Sequence, residues 1–432
     1  MIDLTRFVNG IDNRPEGMKY EQSFGDGSEG RKRCGSEGPD DGAGRDGTDS
    51  PLVPLVVWNT TPACNLRCQH CYFGAVDSRS DEELSTAEAK AFIDELASMN
   101  VPVLVFSGGE PFVREDIAEL TAYADRQGMR PIASSNGTYL TPDRARAVAD
   151  AGMAYVGVSL DGVGDTHDEF RGKDGSFEEA IDGIENAQDA GMSTGIRSTM
   201  TRETIDDLPD LVDLAVDLEV DRLNVFHLIY TGRGGTITDT DLPFERSREM
   251  VDYLFERTLE LAETNPEMQL LSAGNYADAV YLYRKIQREL PERADRAREL
   301  LFDDGPGRVV KKGDSGPKVV NVDYRGDVHP SMFLPTITMG NVRERRLDEI
   351  LADSDVWSKL AEPSPHLEGR CGECPFREVC GGNSRARALA ENDDLWAEDP
   401  RCYLTDEELG LVGDDGGTAH EPTDVPIDAP GT

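Results

Sequence analysis

The sequence is short of basic residues. Of its 432 residues only 44 are Lys or Arg, against 84 Asp or Glu, which gives a formal net charge of −40. So acidic a chain has no electrostatic attraction for phosphate backbones or anionic lipid, and this excludes nucleic acid and membrane surfaces as charge-driven partners. The acidic residues are spread along nearly every segment, as expected for a halophilic cytoplasm in which molar salt screens self-repulsion.

The sequence also lacks long apolar runs. No run reaches the roughly 18 residues of a membrane-spanning helix, and the N-terminus has no basic stretch followed by an apolar one of signal-peptide type. We therefore expect a cytoplasmic protein. In a cytoplasmic protein, metal binding is a better interpretation of the eight cysteines than four disulfide bonds. Seven of the eight fall in two groups with metal-ligand spacing. Cys34 lies outside both groups and is expected to have no role.

Composition divides the chain into six segments. Gly, Asp and Ser dominate one segment near the N-terminus, and Asp, Gly and Pro dominate the end of the chain, so both are expected to be disordered. The predicted segments are an N-terminal piece (1–24), a disordered insert (25–50), a core (51–240), a helical extension (241–316), a cysteine-rich C-terminal domain (317–408) and a disordered acidic tail (409–432).

The core alternates short apolar runs with amphipathic stretches in six strand–helix repeats. Capping signals mark three helix starts: Ser85 with Glu88, Ser176 with Glu179, and Thr141 before Pro142. This alternation predicts an α/β fold with a parallel sheet, and six units suit a partial (β/α)6 TIM-type barrel with its functional residues at the carboxyl ends of the strands. A doubly wound open sheet is the alternative.

The first cysteine group directly follows the first predicted strand of the core. Cys64, Cys68 and Cys71 have the spacing C-x3-C-x2-C. Three thiolates on a 4Fe–4S cluster leave one iron without a protein ligand, and such an open position is what cofactor chemistry requires. A zinc site with His70 as fourth ligand is the alternative.

This motif, together with Ser107-Gly-Gly-Glu-Pro111 at the end of the next strand, resembles the radical S-adenosylmethionine (SAM) superfamily. The resemblance implies a 4Fe–4S cluster with bound SAM, which is cleaved to a 5′-deoxyadenosyl radical, and it implies that His70 and Tyr72 flank the cofactors. Ordinary turn chemistry is the alternative for each single SAM contact. The SAM-binding residues that the resemblance implies are Gly108, Gly109, Glu110, Asn136, Ser159 and Arg197.

The second cysteine group offers four thiols, enough to saturate a second cluster. A structural zinc ion is the alternative. The region resembles the SPASM or twitch domain that follows many radical SAM barrels, and Ser384 stands where many members have a further cysteine. The resemblance implies one auxiliary 4Fe–4S cluster, with the ligands Cys371, Cys374, Cys380 and Cys402.

Two longer stretches, 326–345 and 370–410, resemble radical SAM enzymes of alternative heme synthesis. The resemblance implies removal of acetate side chains from 12,18-didecarboxysiroheme, giving iron-coproporphyrin III, with a reductant such as ferredoxin or flavodoxin. A radical SAM maturase of a peptide or other cofactor is one alternative, and a non-catalytic iron–sulfur electron-transfer protein is another.

A tetrapyrrole with acetate and propionate groups calls for basic partners. Most basic residues of so acidic a chain are expected to pair with nearby carboxylates instead. His227 and His329 could donate a proton or ligate the iron of a macrocycle, and a structural role is the alternative for each. The basic candidates are Arg233, Arg308, Lys311, Lys312, Arg343 and Arg345.

Overall fold

A computed structural model describes four parts of the chain: 1–10, 54–302, 309–310 and 319–411. The predicted disordered insert, Cys34 and nearly all of the predicted acidic tail lie outside these parts. So do Arg308, Lys311 and Lys312. Among the described residues, no helix is both long and apolar enough to cross a membrane.

The described strands form one eleven-stranded sheet. They are β1 (Ile2–Asp3), β2 (Leu55–Asn59), β3 (Val103–Ser107), β4 (Arg130–Ser135), β5 (Tyr155–Ser159), β6 (Ser193–Met200), β7 (Arg222–His227), β8 (Gln269–Ala273), β9 (Val319–Val322), β10 (Asp327–His329) and β11 (Gly340–Asn341).

The described helices cover the sheet and build the C-terminal region. They are α1 (Leu4–Asn9), α2 (Thr86–Ser98), α3 (Ile117–Arg126), α4 (Pro142–Asp150), α5 (Asp165–Arg171), α6 (Ser176–Asp189), α7 (Leu208–Asp217), α8 (Phe244–Thr264), α9 (Ala277–Glu289), α10 (Ala294–Phe302), α11 (Leu347–Asp353), α12 (Asp355–Ala361), α13 (Gly369–Glu373), α14 (Arg377–Cys380), α15 (Arg385–Asn392) and α16 (Asp406–Leu409).

The sheet order is β1-β8-β7-β6-β5-β4-β3-β2-β9-β10-β11. Strands β2 to β8 run parallel to one another, and one or more helices follow each of β2 to β7. The six predicted strand–helix repeats are therefore confirmed. Parallel strands present their carboxyl ends at one edge, so the loops after β2, β3, β4 and β5 lie side by side there.

Alternation along each strand separates two apolar layers. Trp58 and Phe106 belong to the large cluster beneath the helices, and the Trp58 ring meets Phe92 of α2 at 6.0 Å. Their strand neighbours Val57 and Val105 belong to a smaller cluster on the opposite face. The large cluster packs the helices against one face of the sheet, and the smaller cluster covers the other face of β2 to β5.

Two of the three predicted helix caps are confirmed. Ser85 and Glu88 form a reciprocal capping box, and Thr141 accepts a hydrogen bond from the N–H of Arg144 with Pro142 in the first turn. The predicted Ser176 cap is wrong.

The residue that caps α6 is Gly175, which adopts a left-handed conformation at φ 76°. The Asp168 carboxylate accepts hydrogen bonds from the Ser176 hydroxyl at 2.9 Å and from the backbone N–H of Gly175 and Phe177. A carboxylate from α5 thus satisfies the start of α6, which leaves Ser176 as a donor inside the helix.

The segment predicted as a helical extension contains a strand as well as helices. After α8 ends at Thr264, β8 adds a seventh parallel strand beside β7. Strand β1 pairs antiparallel with β8, where Ile2 faces Ser272, so the N-terminal residues cover what would be an open edge. At the other side β9 pairs in parallel with β2, which makes the sheet continuous into the cysteine-rich C-terminal region. The domain boundaries themselves stay predictions.

Candidate functional site

The loop after β2 holds the first cysteine group at the carboxyl edge of the sheet. Its start is fixed by the Cys64 N–H, which donates to the Val76 carbonyl at 2.7 Å. Its far side is fixed by Arg233, which donates to the carbonyls of Cys68 at 2.8 Å and Ala75 at 2.9 Å. Arg233, predicted as a possible substrate ligand, therefore builds the cysteine loop.

Two of the three sulfurs accept hydrogen bonds from the protein. Cys64 Sγ accepts from the Leu66 N–H at 3.4 Å and from the Asn136 side-chain amide at 3.6 Å. Cys68 Sγ accepts from the Arg171 guanidinium at 3.5 Å. Donors of this kind stabilise a ligating thiolate.

Burial raises the pKa of the Cys64 thiol to about 12 and also raises the pKa of Cys68. Iron binding must therefore displace protons from thiols that are otherwise neutral. One buried and two half-buried cysteines, N–H donors to two of their sulfurs and a position at the carboxyl edge fit an iron–sulfur cluster.

His70 does not join the three cysteines. Its Nε2 lies 3.3 Å from Asp161 Oδ2, and its ring stacks on Phe170 with the centroids 4.9 Å apart. Burial lowers the pKa of His70 to about 4, so the ring is neutral. The zinc alternative requires His70 beside the three cysteines, and the structure places its ring against Asp161 and Phe170 instead.

The glycines after β3 bring their backbone against the cysteine loop. Gly109 donates to the Thr61 carbonyl at 2.8 Å, and a Cβ at Gly109 would collide with the Ala63 carbonyl. Gly108 has a φ of 128°, and a Cβ there would lie 2.6 Å from the Thr61 carbonyl. Glycine is required at both positions because two backbone segments touch.

Glu110 is fully buried beneath the same turn. Its carboxylate accepts from the Phe112 N–H at 3.1 Å, the Ser135 hydroxyl at 2.9 Å and the Asn136 N–H at 2.7 Å. Burial raises the pKa of Glu110 to about 7. In this structure Glu110 holds the end of β4 against the glycine turn, and direct contact with SAM stays a prediction.

The other predicted SAM residues line neighbouring strand ends. Ser159 and Arg197 face each other across β5 and β6. Arg197 donates to Ser134 Oγ at 2.6 Å and lies over Gly157, where a Cβ would be 2.7 Å from the guanidinium. Asn136 contacts the Cys64 sulfur, whereas Ser159 and Arg197 lie on the next two strands, and the contacts of all three with SAM stay predictions.

Sequence reasoning missed the partners of Asp161 and Tyr72. Asp161 pairs with Arg171 at 2.5 Å, and both side chains are buried. The Tyr72 hydroxyl donates to Asn59 Oδ1 at 3.0 Å, and burial raises the pKa of Tyr72 to about 12. Asp161 lies two residues after Ser159, a predicted SAM-binding residue, but nothing in the sequence connected it to Arg171.

The second cysteine group converges on one cavity of about 410 Å³, open mouth included, lined by all four thiols. Burial raises the pKa of Cys374 to about 11 and of Cys402 to about 12, and the pKa of Cys380 is raised well above its usual range. Ser384 does not line the cavity. Its hydroxyl instead accepts from the Arg387 N–H as the N-cap of α15. Four half-buried cysteines around one cavity fit a fully ligated cluster.

The described candidates for substrate binding are engaged elsewhere. Arg343 pairs with Glu88 at 2.9 Å and Arg345 with Asp353 at 2.5 Å, both on the surface. These are the carboxylate partnerships that the acidic composition predicts.

Both candidate histidines lie in buried hydrogen-bond networks. His227 Nε2 lies 3.0 Å from Asp278, which also accepts from the Tyr403 hydroxyl at 2.7 Å. His329 donates its Nδ1–H to the Ile337 carbonyl at 2.9 Å. In this structure both histidines connect parts of the fold.

Comparisons with known proteins identify a family for each of the two cysteine-containing regions. The model of the radical SAM superfamily matches residues 58–215, and that of the SPASM iron–sulfur cluster-binding domain matches residues 315–375. Fe-coproporphyrin III synthase of Methanosarcina barkeri is 41% identical over 393 residues, covering 87% of this chain and 97% of that protein. Pre-heme d1 synthase of Dinoroseobacter shibae is 37% identical, covering 84% and 89% of the two chains.

A solved structure of native anSMEcpe with bound AdoMet superposes with a TM-score of 0.63 at 17% identity, covering 81% of this chain and 94% of that one. At that identity the likeness shows the fold alone, and the radical SAM and SPASM assignments come from the family models.

Proposed function

The chain belongs to the radical SAM superfamily, and from this premise we propose its reaction. It is an enzyme of alternative heme biosynthesis with a SAM-binding 4Fe–4S cluster and an auxiliary cluster. The proposed reaction is removal of two acetate side chains from 12,18-didecarboxysiroheme, leaving methyl groups and giving iron-coproporphyrin III. The observation that carries it is the 41% identity with Fe-coproporphyrin III synthase over 97% of that protein's length.

In the proposed assignment, the barrel residues hold and orient the cofactors. Cys64, Cys68 and Cys71 would hold the 4Fe–4S cluster, and with three thiolate ligands it would keep a position open for SAM. When bound together, the cluster and SAM supply hydrogen-atom abstraction through one-electron chemistry. Asn136 beside Cys64, and Arg197 near Tyr72, would offer donors to the polar groups of SAM.

The C-terminal region helps to exclude water from this face. Tyr72 directly follows the third cysteine in the sequence, and the Phe333 ring packs edge-on against it with the centroids 5.8 Å apart. Nearby, Phe73 packs in the same way against Tyr324 at 6.1 Å. Aromatic side chains from the segment after β9 thus cover the cysteine loop, and a dry site protects reactive species from side reactions.

The auxiliary cluster is assigned to Cys371, Cys374, Cys380 and Cys402. A cluster with four protein ligands has no open iron, which suits electron transfer or structural support. The reductant in this proposal is a ferredoxin or flavodoxin, and the proposed location is a salt-rich cytoplasm, which the net charge of −40 favours.

The test is anaerobic turnover in high salt. The full chain is reconstituted with iron and sulfide, reduced with dithionite and given SAM with didecarboxysiroheme, and the products are followed by mass spectrometry. Stepwise loss of two acetate units with formation of 5′-deoxyadenosine is expected. SAM cleavage without any change in the macrocycle would overturn the substrate while leaving the family assignment intact.

Matched cysteine variants control this assay. Cys64→Ala removes a proposed cluster ligand and should abolish product formation. Cys34→Ala removes the one cysteine outside both groups and should leave turnover unchanged.

A further inference from the structure

A buried ion pair touches the second cysteine of the first group. Arg171 is the last residue of α5, and Asp161 lies two residues beyond the end of β5. One guanidinium nitrogen of Arg171 is 2.5 Å from Asp161 Oδ2, and another is 3.5 Å from Cys68 Sγ. The side chains of Arg171 and Asp161 are 7% and 0% exposed. A charged pair thus reaches the sulfur of a cluster ligand with almost no solvent to screen it.

The backbone fixes Arg171 relative to Cys68. On one side of the cysteine, the Arg67 N–H donates to the Arg171 carbonyl at 3.0 Å. On the other side, the Gln69 N–H donates to the Phe170 carbonyl, also at 3.0 Å. The end of α5 is therefore joined to the cysteine loop on both sides of the sulfur that Arg171 contacts.

Asp161 is fixed from the opposite direction. Its Oδ1 accepts from the Thr199 N–H at 2.6 Å, which ties the carboxylate to β6. His70 approaches the other oxygen at 3.3 Å. Asp161 thus holds the guanidinium in place and also sets a negative charge opposite its positive one.

The sulfurs of Cys64 and Cys68 have different environments. The donors to Cys64 Sγ, from Leu66 and Asn136, are neutral, whereas the donor to Cys68 Sγ carries a full positive charge. Reduction adds one negative charge to a cluster, so a positive donor on a ligand sulfur favours the reduced state and a nearby carboxylate opposes it. Burial increases both effects because the local dielectric constant is low.

We propose that Arg171 and Asp161 are positioning residues that set the reduction potential of the SAM-binding cluster, with Arg171 raising it and Asp161 lowering it. The couple concerned takes one electron from a one-electron reductant, which is oxidised in the same step. The two opposing charges keep the reduction potential high enough for the one-electron donor to reduce the cluster. They also keep it low enough for the reduced cluster to transfer an electron to SAM. The inference depends on the cluster at the first cysteine group and is independent of the tetrapyrrole substrate.

The test is a redox titration of the reconstituted full chain in high salt, followed by electron paramagnetic resonance. Arg171→Met removes the positive donor and should move the midpoint potential downward. Asp161→Asn removes the opposing charge at nearly constant shape and should move it upward. At a fixed potential, each single variant should change the ratio of reduced to oxidised cluster about tenfold. For a one-electron couple this is a shift of the midpoint potential by about 59 mV. The double variant should return close to the original potential.

Two internal controls separate tuning from general damage. The auxiliary cluster, identified as the signal that SAM does not perturb, should keep its potential in every variant. Arg257→Gln removes an ion pair between α8 and α7, where Arg257 lies 2.7 Å from Asp213, and should shift neither cluster.

Opposite shifts of the two single variants would support the proposal, because a purely structural defect has no reason to change sign with the charge removed. Shifts in the same direction, or no shift, would overturn it. If Arg171→Met fails to retain iron, Asp161→Asn decides alone, and any result other than an upward shift overturns the proposal. Since the titration needs no tetrapyrrole, its outcome does not depend on the proposed substrate.

Discussion

Asn136 connects the first cysteine to the glycine turn, since its side-chain amide donates to Cys64 Sγ at 3.6 Å while its backbone N–H donates to Glu110 at 2.7 Å. The same side chain donates to Asn65 Oδ1 at 2.9 Å. The end of β4, the cysteine loop and the turn after β3 are therefore held in one arrangement. Disturbing any of the three should affect the cluster site.

Asn136→Ala should weaken the first cluster site. The change removes a donor to a ligand sulfur, and such outer contacts typically contribute about 10- to 100-fold in metal affinity or activity. The rate of 5′-deoxyadenosine formation and the iron content per chain check this. The matched control is Asn186→Ala, which removes a partly buried amide donating to the Leu140 carbonyl at 2.9 Å. Equal rates in the two variants would contradict the role given to Asn136.

Glu110→Gln should change how stability depends on pH. Burial raises the pKa of Glu110 to about 7 from 4.5, so the folded chain holds this proton over a range in which the unfolded chain has lost it. The carboxyl therefore contributes stability below about pH 4.5, and that contribution is lost as the pH rises toward 7. Urea unfolding of the metal-free protein in high salt, at several pH values, checks this. Parallel pH curves for the two proteins would show that Glu110 titrates normally.

Cys402→Ser should remove the auxiliary cluster alone. Cys402 is one of four thiols around the second cavity, so its loss should lower the iron content by about four atoms per chain, from about eight. Elemental analysis of both proteins measures iron and zinc together. Stoichiometric zinc in the unmodified protein would instead support the structural-zinc alternative.

Dilution of salt should unfold the protein. The acidic side chains that give the net charge of −40 repel one another. This repulsion is screened less in dilute salt, because the Debye length grows from about 3 Å at 1 M to about 30 Å at 0.01 M ionic strength. Circular dichroism and the thermal transition should both show loss of structure in dilute buffer. A transition that keeps its midpoint at low salt would count against adaptation to a halophilic cytoplasm.

The core strands could be predicted from sequence because each of β2 to β7 combines a short apolar run with a helix of different periodicity. Strand β8 escaped because its five buried residues include Gln269 and Ser272, which leave no apolar run long enough to mark a strand. The predicted strand β3 is buried at all five positions too, but four of its residues are apolar.

The cysteines could be predicted because their spacing is local, and the glycine turn because it follows a strand. The Arg171 contact with Cys68 joins residues 103 positions apart, so only the folded chain brings it about. The start of α6 shows a different limit, since the carboxylate of Asp168, eight positions earlier, overrides the local capping signal at Ser176.

The stoichiometry of turnover with didecarboxysiroheme tests the proposed reaction. We predict that iron-coproporphyrin III accumulates and that one 5′-deoxyadenosine forms for each acetate removed. A well-reduced, fully reconstituted protein that forms 5′-deoxyadenosine but leaves both acetates in place would contradict it.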